Sequence, residues 1–351
     1  MKGVFRQVRH VSEWRCFAAA NSRMALPAIM AVLLFGAGSR ARASSLVIQP
    51  TFDSSITNLS DAAAIEGAIN AGIQEIEGAI TSPNNITVTI DFQNASTGLG
   101  ESITTVEDET YFDYYNAYKA VATSATQLTA LSSLTNPTSE SSGNPVNGSM
   151  YMQLTSAEGR NLGFSAPAGV SVAGSGTFDS EILLNTSITS PPNGLSGYYS
   201  LEAVAMHEID EALGIGGPGS TIGDSTIAVG DLDLFRYTGK GVRSYSTTQT
   251  TSPYSYFSID GGNTVLTYFN QTSGADYADW LSNPIPNGYG VQVQDAYGLG
   301  GTNPSLGVNE VTAFNVIGYQ QVTPEPSTFL LAGSLLGMLA VGRRRIMNGR
   351  R

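Results

Sequence analysis

Cysteine is almost missing from this chain: one residue, Cys16, in 351. Histidine is nearly as scarce, with His10 and His207 only. Both Cys16 and His10 fall in an N-terminal stretch that reads as a removable leader. The remainder has no disulfide and no thiolate metal ligand. A metal site built on several imidazoles is excluded as well. Positive charge is thin too. Residues 44–323 hold five Lys/Arg against 27 Asp/Glu, a formal −22. A nucleic-acid-binding face needs the opposite balance, so that class of function is excluded. The hydrophobic share of 41% excludes wholesale disorder.

The two ends differ in kind from the middle. Lys2, Arg6, Arg9, Arg15 and Arg23 precede a short apolar run, Met24 to Gly38, and then Ala41-Arg42-Ala43. A basic region, a short apolar core and an A-x-A end describe a secretory signal peptide, residues 1–43. At the other end stand Pro324-Glu325-Pro326, an apolar run from Thr328 to Gly342, and Arg343-Arg344-Arg345. An apolar stretch followed by a basic cluster is a stop-transfer pattern. The three parts in this order resemble the PEP-CTERM sorting signal of Gram-negative bacteria. That resemblance implies a sorting segment over 324–345 and a cytoplasmic tail over 346–351. It also implies export, transient membrane anchoring, processing by signal peptidase and an exosortase, and surface display or release.

Periodicity organises the middle. Residues 65, 69, 73, 76 and 80 are apolar at helical spacing, with Asp61 as N-cap. Ile86–Phe92 alternates like a strand, and Ser45–Ile48 reads as an edge strand. One helix is predicted over Tyr111–Leu134 and another over Leu195–Leu213, ended by Gly214. Met150–Leu154 and Glu181–Asn185 are further strands. Beyond Gly217 the chain is Gly-, Thr-, Ser- and Tyr-rich with short strands and turns. The fold class is α+β, with helices packed on one face of a small mixed sheet. The aromatics of 245–280 either line a cleft or form strand core. Asp260-Gly261-Gly262-Asn263 reads as a β-turn, since it lacks calcium-loop spacing.

One motif carries chemistry: His207-Glu208-Ile209-Asp210-Glu211 on the Leu195–Leu213 helix. Residues i and i+4 share a helix face, so His207 and Glu211 can address one metal ion. Glu208 lies beside them, placed to deprotonate the water that zinc activates. This is the H-E-x-x-H layout with Glu as the second ligand, a change that zinc chemistry tolerates. Position 217 is Gly where the longer metzincin motif has His, and no Met-turn follows. A third ligand must be an oxygen side chain. Asp231 and Asp233 lead, with Asp224, Asp276 and Asp279 behind them. Two carboxylates offset the charge of the ion, so slower turnover or a more alkaline optimum is expected than in a two-His site. Manganese or calcium remains open. Arg236, Tyr237 or Tyr245 is placed to stabilise an oxyanion, unless the arginines serve structure.

These residues, with Asp233-Leu-Phe-Arg-Tyr237, Gly241-Val-Arg-Ser-Tyr245, Tyr256–Gly262, Asp276–Trp280 and Val293–Tyr297, resemble one family. It is a group of secreted bacterial proteins classed as zinc metalloproteases, with an H-E-x-x-E helix and a D-L-F-R-Y segment. The resemblance implies a zincin-like domain over 44–323, in which a small mixed sheet and its helices precede an irregular β-rich part. It implies one zinc held by His207, Glu211 and Asp233, with Glu208 as base, acting on protein or peptide substrates. The competing expectation is a non-catalytic surface or matrix protein that binds cations and exopolysaccharide. Glu208 separates the two, because a structural metal needs no base beside it.

Overall fold

The computed structural model describes residues 45–190, 196–216, 229–244, 254–272, 274–282 and 290–322. The expected leader and sorting segment lie outside these residues, as do Gly217, Asp224 and Tyr245. In chain order the elements that position the site are β1 (Leu46–Phe52), α1 (Ala62–Ala79), β2 (Ile86–Asn94), β3 (Gly100–Thr104) and β4 (Val106–Thr110). Then come α2 (Tyr111–Val121), α3 (Ala125–Ser133), β5 (Tyr151–Thr155), α4 (Ser156–Leu162), β6 (Ser180–Leu184), α5 (Leu201–Leu213) and α6 (Val308–Val316). The architecture is mixed α+β, as expected.

The main sheet has the order β1–β2–β6–β3. β1 and β2 are parallel, with Ile48 opposite Val88 and Phe52 opposite Phe92. β6 continues in parallel, and β3 closes the edge antiparallel, with Gly100 opposite Leu184. Val88, Ile90 and Phe92 are buried, which is why this alternating Ile/Val segment forms the sheet interior. A smaller sheet sets Val229–Gly230 parallel to β5 and β4 antiparallel to it. Past α5, the strands Arg236–Gly239, Val242–Arg243, Tyr256–Phe257 and Thr267–Tyr268 form a third, antiparallel sheet.

Ile65, Ile69, Ile73 and Ile76 bury one face of α1, which packs against α5. Gly72 sets the approach of the two helices. A Cβ there would lie 2.9 Å from Met206 Cγ and 3.1 Å from the Glu202 carbonyl oxygen. Asp61 precedes α1 but makes no side-chain cap. The single helix expected over 111–134 is two. Ser124 starts α3 with a capping box in which its hydroxyl accepts from the Gln127 amide and the Gln127 side chain accepts from the Ser124 amide. A local cap thus outcompetes continuation of α2. The site helix begins at Leu201, capped by Ser200, six residues later than its apolar pattern suggested.

Several carboxyls lie inside the protein. Glu158 and Asp231 are essentially unexposed and lie beside each other. Burial raises both; Asp231 adds to the rise of Glu158, while Glu158 opposes that of Asp231. Asp233 is raised to about 7, by burial foremost, with Arg236 opposing. A folded-state value above the unfolded one means stability that is complete below the unfolded value and lost as pH rises through the folded value. For Asp233 that window runs from 3.8 to about 7. The thermal midpoint of the metal-free protein is therefore expected to fall between pH 5 and pH 8, and to fall less in Asp233→Asn. Melting curves across that range check this, and a flat profile would contradict it.

Candidate metal centre

The site helix α5 is buried almost all round, with Leu201, Ala205, Met206, Ile209, Ala212 and Leu213 in the core. Gly214 ends it in the left-handed region at φ 118°, where a side chain is disfavoured. His207 and Glu211 emerge from one face of α5 toward β3 and the 290s segment. His207 Nδ1 donates to the Val293 carbonyl oxygen at 3.0 Å. That bond reserves Nε2 for an ion, which takes the place of the second ring proton on binding. Nε2 lies 3.8 Å from Glu211 Oε1 and 3.6 Å from Asp279 Oδ2. Three donors around a tetrahedral ion at ordinary zinc distances stand about 3.3 Å apart, so the group needs only a small contraction. One donor atom from each residue falls within 4.8 Å of the others, and this is the group of the described residues that can hold a metal ion.

Each ligand is held from behind by a different segment. Glu211 Oε2 accepts from Ser102 Oγ of β3 at 2.5 Å. Asp279 Oδ1 accepts from Gln294 Nε2 at 2.9 Å, turning Oδ2 toward His207. Trp280, next in the chain, is fully buried, lies over Phe257 and Phe269, and donates Nε1 to Glu310 at 3.1 Å. Gly216, at φ 91°, closes the back of the site. A Cβ there would lie 3.0 Å from Gln294 Nε2 and 3.1 Å from Glu211 Cγ.

Glu208 lies against β3. A Cβ on Gly100 would fall 2.1 Å from Glu208 Oε1, so glycine at 100 leaves the space its carboxylate occupies. Burial raises Glu208, with His207 opposing and Asp279 and Asp276 adding to the rise. Burial alone would lower His207. Asp279, Glu208 and Glu211 outweigh it and raise the imidazole to about 10, so the metal-free site keeps a proton on His207. A cleft of about 780 Å³ opens here, lined by His207, Glu208, Glu211 and Asp279, by β3, and by residues 291–299.

Three expectations need correction. Asp233 is not in the group, although the family resemblance implied it as the third ligand. Its Oδ2 accepts from the Gly230 amide at 3.0 Å, in a single 3-10 turn, Leu232–Phe235, and the side chain is buried there. Asp231 lies beside Glu158 instead. Arg236 does not face the cleft. It is wholly buried, stands over the Phe269 ring at 4.5 Å, and donates to the carbonyl oxygens of Tyr277 at 2.5 Å and Asn270 at 3.3 Å. It thereby clamps the loop that delivers Asp279. Tyr237 is buried under the Arg243 guanidinium and lines no part of the cleft. The arginines serve structure; of the described aromatics of 254–280, Tyr256, Phe257, Phe269 and Trp280 are buried, Tyr254, Tyr268 and Tyr277 are half-buried, and none lines the cleft.

Asp279 was ranked behind Asp231 and Asp233, and Ser102, Gly100, Gly216 and Gln294 had no place in the sequence reading. The repeated Asp and aromatic residues of Asp276–Trp280 and Val293–Tyr297 were the available signal. No family model matches the chain, and neither a curated protein nor a solved structure does. The functional reading rests on the site's own chemistry.

Metal analysis of protein folded with zinc is expected to give about one ion per chain in the wild type. Loss is expected in His207→Ala and in Asp279→Ala, and retention in Asp233→Asn. Retention in Asp279→Ala with loss in Asp233→Asn would reverse the assignment.

Proposed function

We propose that this chain is a zinc-dependent metallopeptidase that hydrolyses peptide bonds. The observation that carries the reading is the convergence of His207, Glu211 and Asp279 in one cleft with a third acid, Glu208, beside them. A structural ion needs the three ligands but no adjacent base. An imidazole among the donors favours zinc or manganese over calcium, which takes oxygen ligands. When bound, such an ion supplies Lewis acidity that polarises a carbonyl and acidifies water.

The chain's own residues supply the rest. Glu208 accepts the proton of the attacking water and returns it to the departing amine nitrogen. Gly100 keeps that carboxylate seated against β3. Among the described residues β3 pairs with β6 alone. Its outer edge borders the cleft and suits an extended peptide, whose main chain would add to the sheet. A helix bearing the ligands beneath the antiparallel edge of a mixed sheet supports the zincin-like reading. The terminal sequences support export through a signal peptide and a PEP-CTERM segment, with action at the cell surface or outside it. Among the described residues no helix is long and apolar enough to cross a membrane.

Zinc-loaded wild type is expected to cut casein or a mixed peptide library. Glu208→Gln should keep its zinc and lose on the order of 10²-fold or more in rate, the scale of general-base catalysis. Full activity in that variant would remove Glu208 as the base, and no cleavage by the zinc-loaded wild type would leave the cation-binding surface-protein reading in its place. Gly100→Ala should likewise keep zinc and fold, because only the end of the Glu208 side chain must move, yet lose activity. Unchanged turnover there would show that the seat of Glu208 at β3 is immaterial.

A further inference from the structure

Charge in the cleft is one-sided beyond the metal group. Glu101 borders the cleft from β3, on the strand face opposite Ser102, and Asp276 stands three residues before Asp279; both are solvent-exposed. Asp295 lies deeper, 5% exposed, and pairs through its main chain with Trp280. Its Oδ2 accepts from the Gln292 amide at 2.9 Å, and its Oδ1 has no partner among the described residues. Strand, loop and floor thus each present an acid.

No cation answers them. All five Lys/Arg of residues 44–323 are among the described residues, and none lines the cleft. Arg160 is bonded to Asp179, and Arg236 and Arg243 are bonded to main-chain carbonyls. Lys119 is on α2, and Lys240 is in the turn after Gly239. A dication on one imidazole and two carboxylates is neutral overall. Glu208, Glu101, Asp276 and Asp295 remain without a counter-charge even when the site is loaded. Clefts concentrate the field of such groups, and like charges brought against them are rejected.

We propose that the cleft selects peptide segments bearing Lys or Arg side chains and excludes acidic segments. The proposal rests on the peptidase reading and adds a substrate class to it. Asp295, its unpartnered oxygen closed to direct contact, would act on an ammonium or guanidinium group at the floor through its field alone. Glu101 and Asp276 would act on neighbouring side chains at the rim. Selection would arise as much from repulsion of the wrong peptide as from attraction of the right one.

The test separates binding from hydrolysis. Zinc-loaded Glu208→Gln protein would be titrated into two fluorescein-labelled peptides of equal length, one of alternating Ala and Lys and one of alternating Ala and Glu, read by anisotropy. The basic peptide is expected to bind at least ten-fold more tightly at low salt, with the gap narrowing as salt rises. Adding Glu101→Lys and Asp276→Lys, both at exposed positions, should close or invert the gap while zinc content and circular dichroism stay unchanged. The same charge change made away from the cleft, at exposed Asp61 and Glu140, should leave the gap in place. Equal binding of the two peptides, or a gap that closes equally with the remote changes, would overturn the proposal. Wild type that binds the basic peptide without cutting it would strike the peptidase reading and leave charge selection standing.

Discussion

Four ionisable groups share one wall of the cleft: an imidazole and three carboxyls, all within or beside the same helix turn or facing it. Carboxylates held this close in a poorly solvated place repel, and something positive must offset them. In the metal-free protein that role falls to the proton on His207, which the surrounding acids raise far above its ordinary value. A divalent cation meets the same demand more fully, and displaces the proton to do so. The need for a cation, more than any single ligand, is what the surrounding structure is organised to create. Ser102, Gln294 and the Val293 carbonyl each hold one member in place from a different stretch of chain. Relaxing any one of those bonds would let the carboxylates drift apart into solvent.

The supporting residues are of two kinds. Glycines make room. Gly72 lets α1 lie close under the site helix, Gly100 accommodates the Glu208 carboxylate, and Gly216 lets the chain turn behind Glu211 and Asp279. Buried polar groups clamp. Arg236 spans Tyr277 and Asn270 on the loop that delivers Asp279, and Glu310 ties Trp280 and the Gln294 amide to α6. The D-L-F-R-Y segment therefore bears on the metal site indirectly. Its Asp balances a buried arginine, and that arginine fixes the third ligand.

Much of the framework was legible from local pattern. The Ile spacing of α1, the alternation of Ile86–Phe92 and the helix ended by Gly214 depend on neighbours within a few residues, where periodicity carries the information. The break between α2 and α3 was missed because Ser124 and Gln127 form a cap within an otherwise helical run. A fixed spacing between His207, Glu208 and Glu211 placed three of the four groups of the site, since the geometry of a helix makes i and i+4 neighbours whatever else the chain does.

The amino-acid sequence by itself thus determined that this chain carries one imidazole and two acids on one helix face, in a protein poor in cations. The residue that completes the group was decided by tertiary structure alone. Asp233 lies closer in sequence, yet the short turn after Gly230 directs its carboxylate to its own backbone. Asp279 comes from a loop that meets the helix only because Trp280 is buried against Phe257, Phe269 and α6. Ligation depends on distance in space, and across a 68-residue separation that distance is set by core packing, which no local spacing encodes.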